Sequence, residues 1–148
     1  MRYIECPEIY KGNEKSLFLA GGISNCYNWQ SALIKSLHDT NLTILNPRRK
    51  FFPIDRLDII KEQIEWEYNH LSKTSAVSFW FPPETLCPIT LFELGKQSID
   101  KKPLFIGIDQ NYQRKVDVEI QICLIRPNIK IVYSLENLAE QIKIWSKK

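Results

Sequence analysis

Short apolar runs rich in β-branched and aromatic residues alternate along this chain with longer stretches whose apolar positions recur every three or four residues. Ser16-Leu17-Phe18-Leu19-Ala20 reads as a buried strand, halted by Gly21-Gly22, with residues 1–15 as an irregular lead-in. A helix follows from about Tyr27 to Asp39, with Trp29, Leu33, Ile34 and Leu37 on one stripe. Leu42-Thr43-Ile44-Leu45 predicts the second strand, ended by Asn46-Pro47, and Arg48 to Ile54 a loop with two aromatics. Asp55 is the expected N-cap of a helix running to about Ser72. Ala76 to Phe81 is the third strand, Thr90 to about Ile99 a helix, and Leu104 to Ile108 the fourth strand. Val116 to Ile125 is helical and stops before Pro127, Ile129 to Tyr133 is the fifth strand, and Ser134 caps a last helix running toward Trp145.

Strands and helices in alternation predict a parallel sheet covered on both faces. The expected architecture is a flavodoxin-like or Rossmann-like three-layer α/β/α domain, its five-stranded sheet ordered 2-1-3-4-5 by predicted strand number. The pattern shows no repeat and no interior linker, so residues 1–148 are expected to form one domain.

Charge and cysteine usage narrow the classes. The net charge is only +3 and the basic residues are scattered, apart from Arg48-Arg49-Lys50 and Lys147-Lys148, which argues against a nucleic-acid polymer as partner. No run approaches a membrane span, and Met1 to Glu5 has no apolar signal core. Cys6, Cys26, Cys87 and Cys123 form no CxxC pair, and with His38 and His70 they give no metal-ligand spacing. Reduced thiols in a cytoplasm, with no metal or organic cofactor, are the expectation.

The unusual polar residues fall after strands: Gly21-Gly22-Ile23-Ser24-Asn25, then Asn46-Pro47-Arg48-Arg49, then Glu84 and Glu93, then Asp109-Gln110-Asn111-Tyr112. In a parallel sheet these loops share the carboxyl edge and converge on one crevice. Glu93 places a carboxylate there that can act as nucleophile or acid/base. Thr90-Leu91-Phe92-Glu93 also fits a capping box, in which Glu93 only bonds back to the helix cap. Ile60, Ile64, Glu67 and Leu71 share one helix face, so Glu67 interrupts an apolar stripe. It either lines a cavity with a raised pKa or reaches solvent at the stripe's edge. Gly21-Gly22 is either a tight turn or a place where backbone meets a ligand, without a phosphate-loop pattern. Arg48-Arg49 is either a solvated basic loop or a phosphate clamp, and Phe51, Phe52, Trp66, Trp80 and Phe81 are either core or a wall for a flat base.

In order along the chain, Phe18-Leu19-Ala20-Gly21-Gly22-Ile23, Leu45-Asn46-Pro47-Arg48, Gln63-Ile64-Glu65-Trp66-Glu67, Ser78-Phe79-Trp80-Phe81-Pro82 and Thr90-Leu91-Phe92-Glu93-Leu94-Gly95 resemble the nucleoside 2-deoxyribosyltransferase-like family. Tyr112 to Gln121 is similar to that family's C-terminal signature, and the likeness spans roughly residues 16 to 142. The resemblance implies Glu93 as nucleophile and Glu67 as the carboxylate that orients or protonates the substrate. Phe18 stands where well-known members carry a Tyr, so a hydroxyl that would orient the nucleophile is missing. Glu84 matches loosely an Asp that contacts the base.

The implied chemistry is retaining exchange or cleavage at C1′ of a (deoxy)nucleoside through a covalent glycosyl-Glu93 intermediate, with a free nucleobase as acceptor. Phe18, Gly21, Gly22, Ser24, Asn25, Asn46, Arg48, Trp80 and Glu84 are the substrate contacts this reading expects. By the same resemblance the protein is a homo-oligomer with shared sites, in which Asn111, Tyr112, Arg114 and Asp117 reach the neighbouring pocket. Two rivals stand beside it: an N-glycosidase acting on a deoxynucleotide 5′-monophosphate, its phosphate held by Ser24, Arg48 and Arg49, and a non-catalytic nucleotide-binding or sensing module, favoured by Phe18.

Overall fold

The computed structural model describes residues 1–52 and 56–148. Its sheet has five parallel strands: β1 (Arg2–Glu5), β2 (Ser16–Gly21), β3 (Thr43–Asn46), β4 (Ala76–Phe81) and β5 (Leu104–Ile108). Their order is β1-β3-β2-β4-β5. The helices are α1 (Trp29–Ser36), α2 (Leu57–Lys73), α3 (Pro88–Ser98), α4 (Lys115–Ile125) and α5 (Leu135–Ser146). The fold is thus α/β with an all-parallel sheet between helical layers, and the predicted neighbours along the sheet are observed.

Two ends of the sheet differ from expectation. Residues 2–5 of the lead-in are a strand, not irregular: β1 pairs with β3 from Arg2↔Thr43 to Glu5↔Asn46. Its alternation is short, with only Ile4 fully buried, which a four-residue window hardly reveals. Conversely, Ile129 to Tyr133 is no strand; a single bridge joins Gly107 to Val132. The chain leaves α4 through a turn closed by Ile129 N–H on the Arg126 carbonyl, and Ser134 already caps α5. That leaves room for one aligned residue. The expected N-cap Asp55 and the end of the expected 48–54 loop lie outside the described residues.

Strand parity divides the core. Leu17 and Leu19 of β2, with Ala76 and Trp80 of β4, face α1 and α5 through Trp29, Leu33, Leu138 and Ile142. Phe18 and Ala20, with Val77, Phe79 and Phe81, face α2, α3 and α4 through Trp66, Leu71, Leu94, Val118 and Ile122. Both faces are buried, as for any parallel sheet covered by crossover helices. The lead-in is fastened to α2 by Trp66 Nε1 donating to the Glu8 carbonyl at 2.7 Å and by Tyr10 N–H donating to His70 Nε2 at 3.1 Å.

β2 connects through α1 to β3 on one side, and β3 connects through α2 back to β4 on the other, so the strand order reverses at β2, where a parallel sheet opens a crevice at its carboxyl edge. Among the described residues, no helix is long and apolar enough to cross a membrane.

Candidate active site

A cavity of about 590 Å³ fills that crevice, inside the range of roughly 300–1,000 Å³ usual for small-molecule sites. The β2 edge contributes Phe18, Ala20, Gly21, Gly22, Ile23 and Ser24; the segment after β3 contributes Pro47, Arg49 and Phe52. Helix α2 adds Gln63 and Glu67, and the turn into α3 adds Thr85 to Glu93 in part.

Glu93 reaches the cavity because α3 starts earlier than its capping-box pattern indicates. The N-cap is Cys87, in the left-handed region at φ 51° and ψ 52°, with Pro88 as first helical residue. Ile89, Thr90 and Glu93 then share the face turned to the cavity. The capping-box alternative for Thr90 and Glu93 is overturned: the cap has no side-chain hydrogen bond, and Glu93 lies beyond the first turn. Among the described residues no donor reaches the Glu93 carboxylate. Burial, then the charge of Glu67, raise its pKa from 4.5 to about 8 against a small opposing pull from Lys96.

Glu67 is differently placed. Burial raises its pKa too, but Gln63 and the charge of Arg49 pull the other way. Gln63 Nε2 donates to Glu67 Oε1 at 2.7 Å and to the Pro47 carbonyl at 2.8 Å. Gln63 Oε1 accepts from Arg49 Nε at 2.7 Å, and Arg49 Nη2 pairs with Glu62 at 2.7 Å. The Arg49 guanidinium also lies 5.8 Å from the Phe52 ring centre. The expected stripe of α2 is only partly right: Ile64 is 59% exposed, and the buried face is Trp66, His70 and Leu71 with Gln63 and Glu67 beside the cavity.

The glycines serve close packing rather than a left-handed turn, since no glycine has positive φ. A Cβ on Gly22 would stand 2.8 Å from the Pro82 ring and 3.0 Å from Cys87 Sγ; one on Gly21 would stand 2.5 Å from the Trp80 carbonyl. Phe18 lies under the cavity with its ring 5.9 Å from that of Trp66.

Of the expected contacts, Glu93, Glu67, Phe18, Gly21, Gly22 and Ser24 are brought together. Asn46 and Arg48 instead line a separate cavity of about 230 Å³. Asn46 donates to the Tyr3 hydroxyl at 3.0 Å and accepts from Arg48 N–H at 3.1 Å. Arg48 donates to the carbonyls of Tyr27 and Cys26 and to Gln30 Oε1, bracing the loop before α1. Trp80 points to the α1–α5 face by strand parity, away from the cavity. Asn25, left-handed at φ 58°, and the exposed Glu84 and Asn111 do not line it either. Tyr112 is buried in its own chain, its hydroxyl donating to the Leu86 carbonyl at 2.8 Å. Arg114 pairs with Asp117 at 3.3 Å on the surface.

Sequence reasoning overlooked Gln63 as a partner of Glu67. The signal was present: the two are four residues apart on one helix, where side chains meet. Cys87 and Thr85 also line the cavity, and burial pushes the Cys87 thiol up to about 12, which leaves it protonated and unreactive.

With two carboxylates converging at the carboxyl edge of a parallel sheet, the comparison with known proteins agrees in kind. The profile described as "Nucleoside 2-deoxyribosyltransferase like" matches residues 14–112, and the chain belongs to this family. The match contains Glu67 and Glu93 and stops at Tyr112, short of most of the 112–121 segment. No curated protein matches the chain. The family implies small-molecule nucleoside substrates and a glycosyltransferase or N-glycosidase type of enzyme.

Proposed function

We propose that this protein exchanges or cleaves the N-glycosidic bond of a nucleoside, with Glu93 as nucleophile and Glu67 as proton carrier. The observation that carries this reading is a half-buried carboxylate, Glu93, that receives no donor among the described residues and faces a largely apolar cavity beside a second carboxylate that has one.

Glu93, with its pKa raised to about 8 by burial and by the charge of Glu67, holds a proton at neutral pH in the free protein. The reaction needs that proton on Glu67 and the charge on Glu93. In the free protein Gln63 and Arg49 favour charge on Glu67, so the proton rests on Glu93. A sugar hydroxyl donating to Glu93 supplies the hydrogen bond it lacks and moves the charge there. The Glu93–C1′ bond then forms as the C1′–N bond breaks. The bond pair passes to the base nitrogen, which takes the proton from Glu67. A second base attacks C1′ through a ring nitrogen, the C1′–O bond breaks, and the acceptor's N–H proton returns to Glu67. Water in place of the base gives free sugar instead.

An uncharged nucleoside fits better than a 5′-monophosphate. Among the described residues the guanidinium at the cavity, that of Arg49, is already paired with Glu62 and Gln63. We also propose a homo-oligomer, supported by exposed apolar side chains on adjoining helices, among them Ile89, Phe92, Ile120 and Leu124. Incubation with a deoxynucleoside and a different free base tests the reaction. A swapped nucleoside supports transfer, free sugar alone supports hydrolysis, and ligand binding without either product refutes catalysis in favour of a sensing module.

A further inference from the structure

We propose that Gln63 is a positioning residue: clamped by Arg49 and the Pro47 carbonyl, it fixes the Glu67 carboxylate beside Glu93 and decides which of the two keeps their shared proton. The inference rests on the assignment of this carboxylate pair to the reaction.

The argument starts from the amide's hydrogen-bonding inventory. A primary amide has two N–H donors and one carbonyl oxygen. The Gln63 oxygen meets Arg49 Nε, which can only donate. Its nitrogen meets the Pro47 carbonyl, which can only accept. A flipped amide would set donor against donor and acceptor against acceptor, so the orientation is fixed by its neighbours. The remaining N–H of Gln63 therefore has to point at Glu67 Oε1.

Arg49 is fixed in turn. Its side chain is only 8% exposed and is held by Glu62 at 2.7 Å and by the face of Phe52. The loop after β3 thus supplies two anchors, Pro47 and Arg49, that lock one α2 side chain, which then locks another a turn away.

The asymmetry of the pair follows. Glu67 receives a donor and the charge of Arg49, whereas Glu93 receives neither. Among the described residues, the charged and titratable groups around the pair are Arg49 from the loop after β3, Glu62 on α2, Lys96 on α3 and the Cys6 thiol just after β1. Among them Arg49 acts on Glu67 and Lys96 on Glu93. Among the described residues, the amide clamp is the element that distinguishes the two carboxyls by a hydrogen bond.

Gln63→Met tests this, because it keeps the length and removes every polar atom. Protein labelled with ¹³C at glutamate Cδ is titrated by NMR, with the two signals assigned from Glu67→Gln and Glu93→Gln. The expected result is that the Glu67 midpoint in Gln63→Met rises by about one pH unit, tenfold in its proton affinity, while that of Glu93 falls. Arg49→Lys keeps a charge for Glu62 but lacks the Nε that holds the amide, and moves both midpoints in the same directions by less. In turnover, Gln63→Met shifts the pH profile of kcat and leaves KM nearly unchanged, which loosened packing alone would not do. If both variants leave both midpoints where the wild type has them, Gln63 is not a positioning residue. The titration needs no substrate, so it decides this even if the wild type proves to have no glycosidic activity, which would overturn only the proposed reaction.

Discussion

The hydroxyl of Tyr112 donates to the carbonyl of Leu86 at 2.8 Å, tying the last residue of the family match to the turn that aims Glu93. The Tyr112 ring packs 5.1 Å from that of Phe81, so one side chain joins the end of β4 to the start of α3. The next residue, Cys87, holds the left-handed conformation that lets α3 begin at Pro88.

Replacing this phenol therefore loosens the turn without touching the cavity. Tyr112→Phe removes the part-buried hydrogen bond to the carbonyl of the half-exposed Leu86 and costs about 0.5–1.5 kcal/mol. Urea denaturation against wild type measures it.

Glu93→Gln removes an unfavourable ionisation along with the proposed nucleophile. The folded chain retains the Glu93 proton up to about pH 8, whereas the unfolded chain releases it near 4.5. Its contribution to stability is thus complete below pH 4.5 and is lost as the pH rises to about 8. Across that interval wild type loses stability relative to Glu93→Gln by at most about 1.4 kcal/mol for each pH unit, and by less where Glu67 takes up part of the titration. Denaturant curves at the two ends of the interval test it.

His70 carries the opposite slope. It stacks on Trp66 at 4.1 Å, and burial holds its pKa below 6.5. Tyr10 N–H donates to Nε2, so that nitrogen is bare and Nδ1 carries the hydrogen donated to the Trp66 carbonyl at 2.7 Å. The His70 contribution is present above pH 6.5 and is lost as the pH falls, because protonation removes the acceptor that fastens the lead-in. Imidazole ¹⁵N shifts at neutral pH are expected to show the Nδ1–H tautomer.

Two glycines separate packing from propensity. A methyl group on Gly21 meets the Trp29 ring and, at 2.5 Å, the Trp80 carbonyl, and strand backbone cannot yield. Gly21→Ala is expected to cost about 1–3 kcal/mol. Gly95, in the middle of α3, has nothing within 4 Å of such a methyl. Gly95→Ala is expected to add about 0.5–1 kcal/mol with turnover unchanged. Thermal melts of the two variants give opposite signs.

The sequence disclosed the central strands and all five helices because each carries a run or period long enough to recognise. The placement of Glu93 after a strand, at the carboxyl edge, was legible, and Glu67 showed only as a break in the apolar stripe of α2; of the loops expected to converge, the one after β5 does not line the cavity. Other features were hidden for physical reasons. A continuous apolar strand such as Phe79-Trp80-Phe81 does not say which parity faces the site, and of the two readings open for Trp80 the structure shows core, on the α1–α5 face. Val132 looked like part of a strand, yet pairing needs aligned neighbours, and only one residue obtains them. The roles of Arg48 and Arg49 separated only in three dimensions: one braces a loop through carbonyls, while its neighbour anchors Gln63 at the cavity.

The most direct test of the account is the intact mass of the protein after brief exposure to a 2′-fluoro-2′-deoxynucleoside, whose fluorine slows breakdown of a glycosyl intermediate. The account predicts one added fluorodeoxyribosyl group, mapped by peptide sequencing to Glu93 and missing in Glu93→Gln. A label on another residue, or an unmodified mass from protein shown to bind the nucleoside, would contradict it.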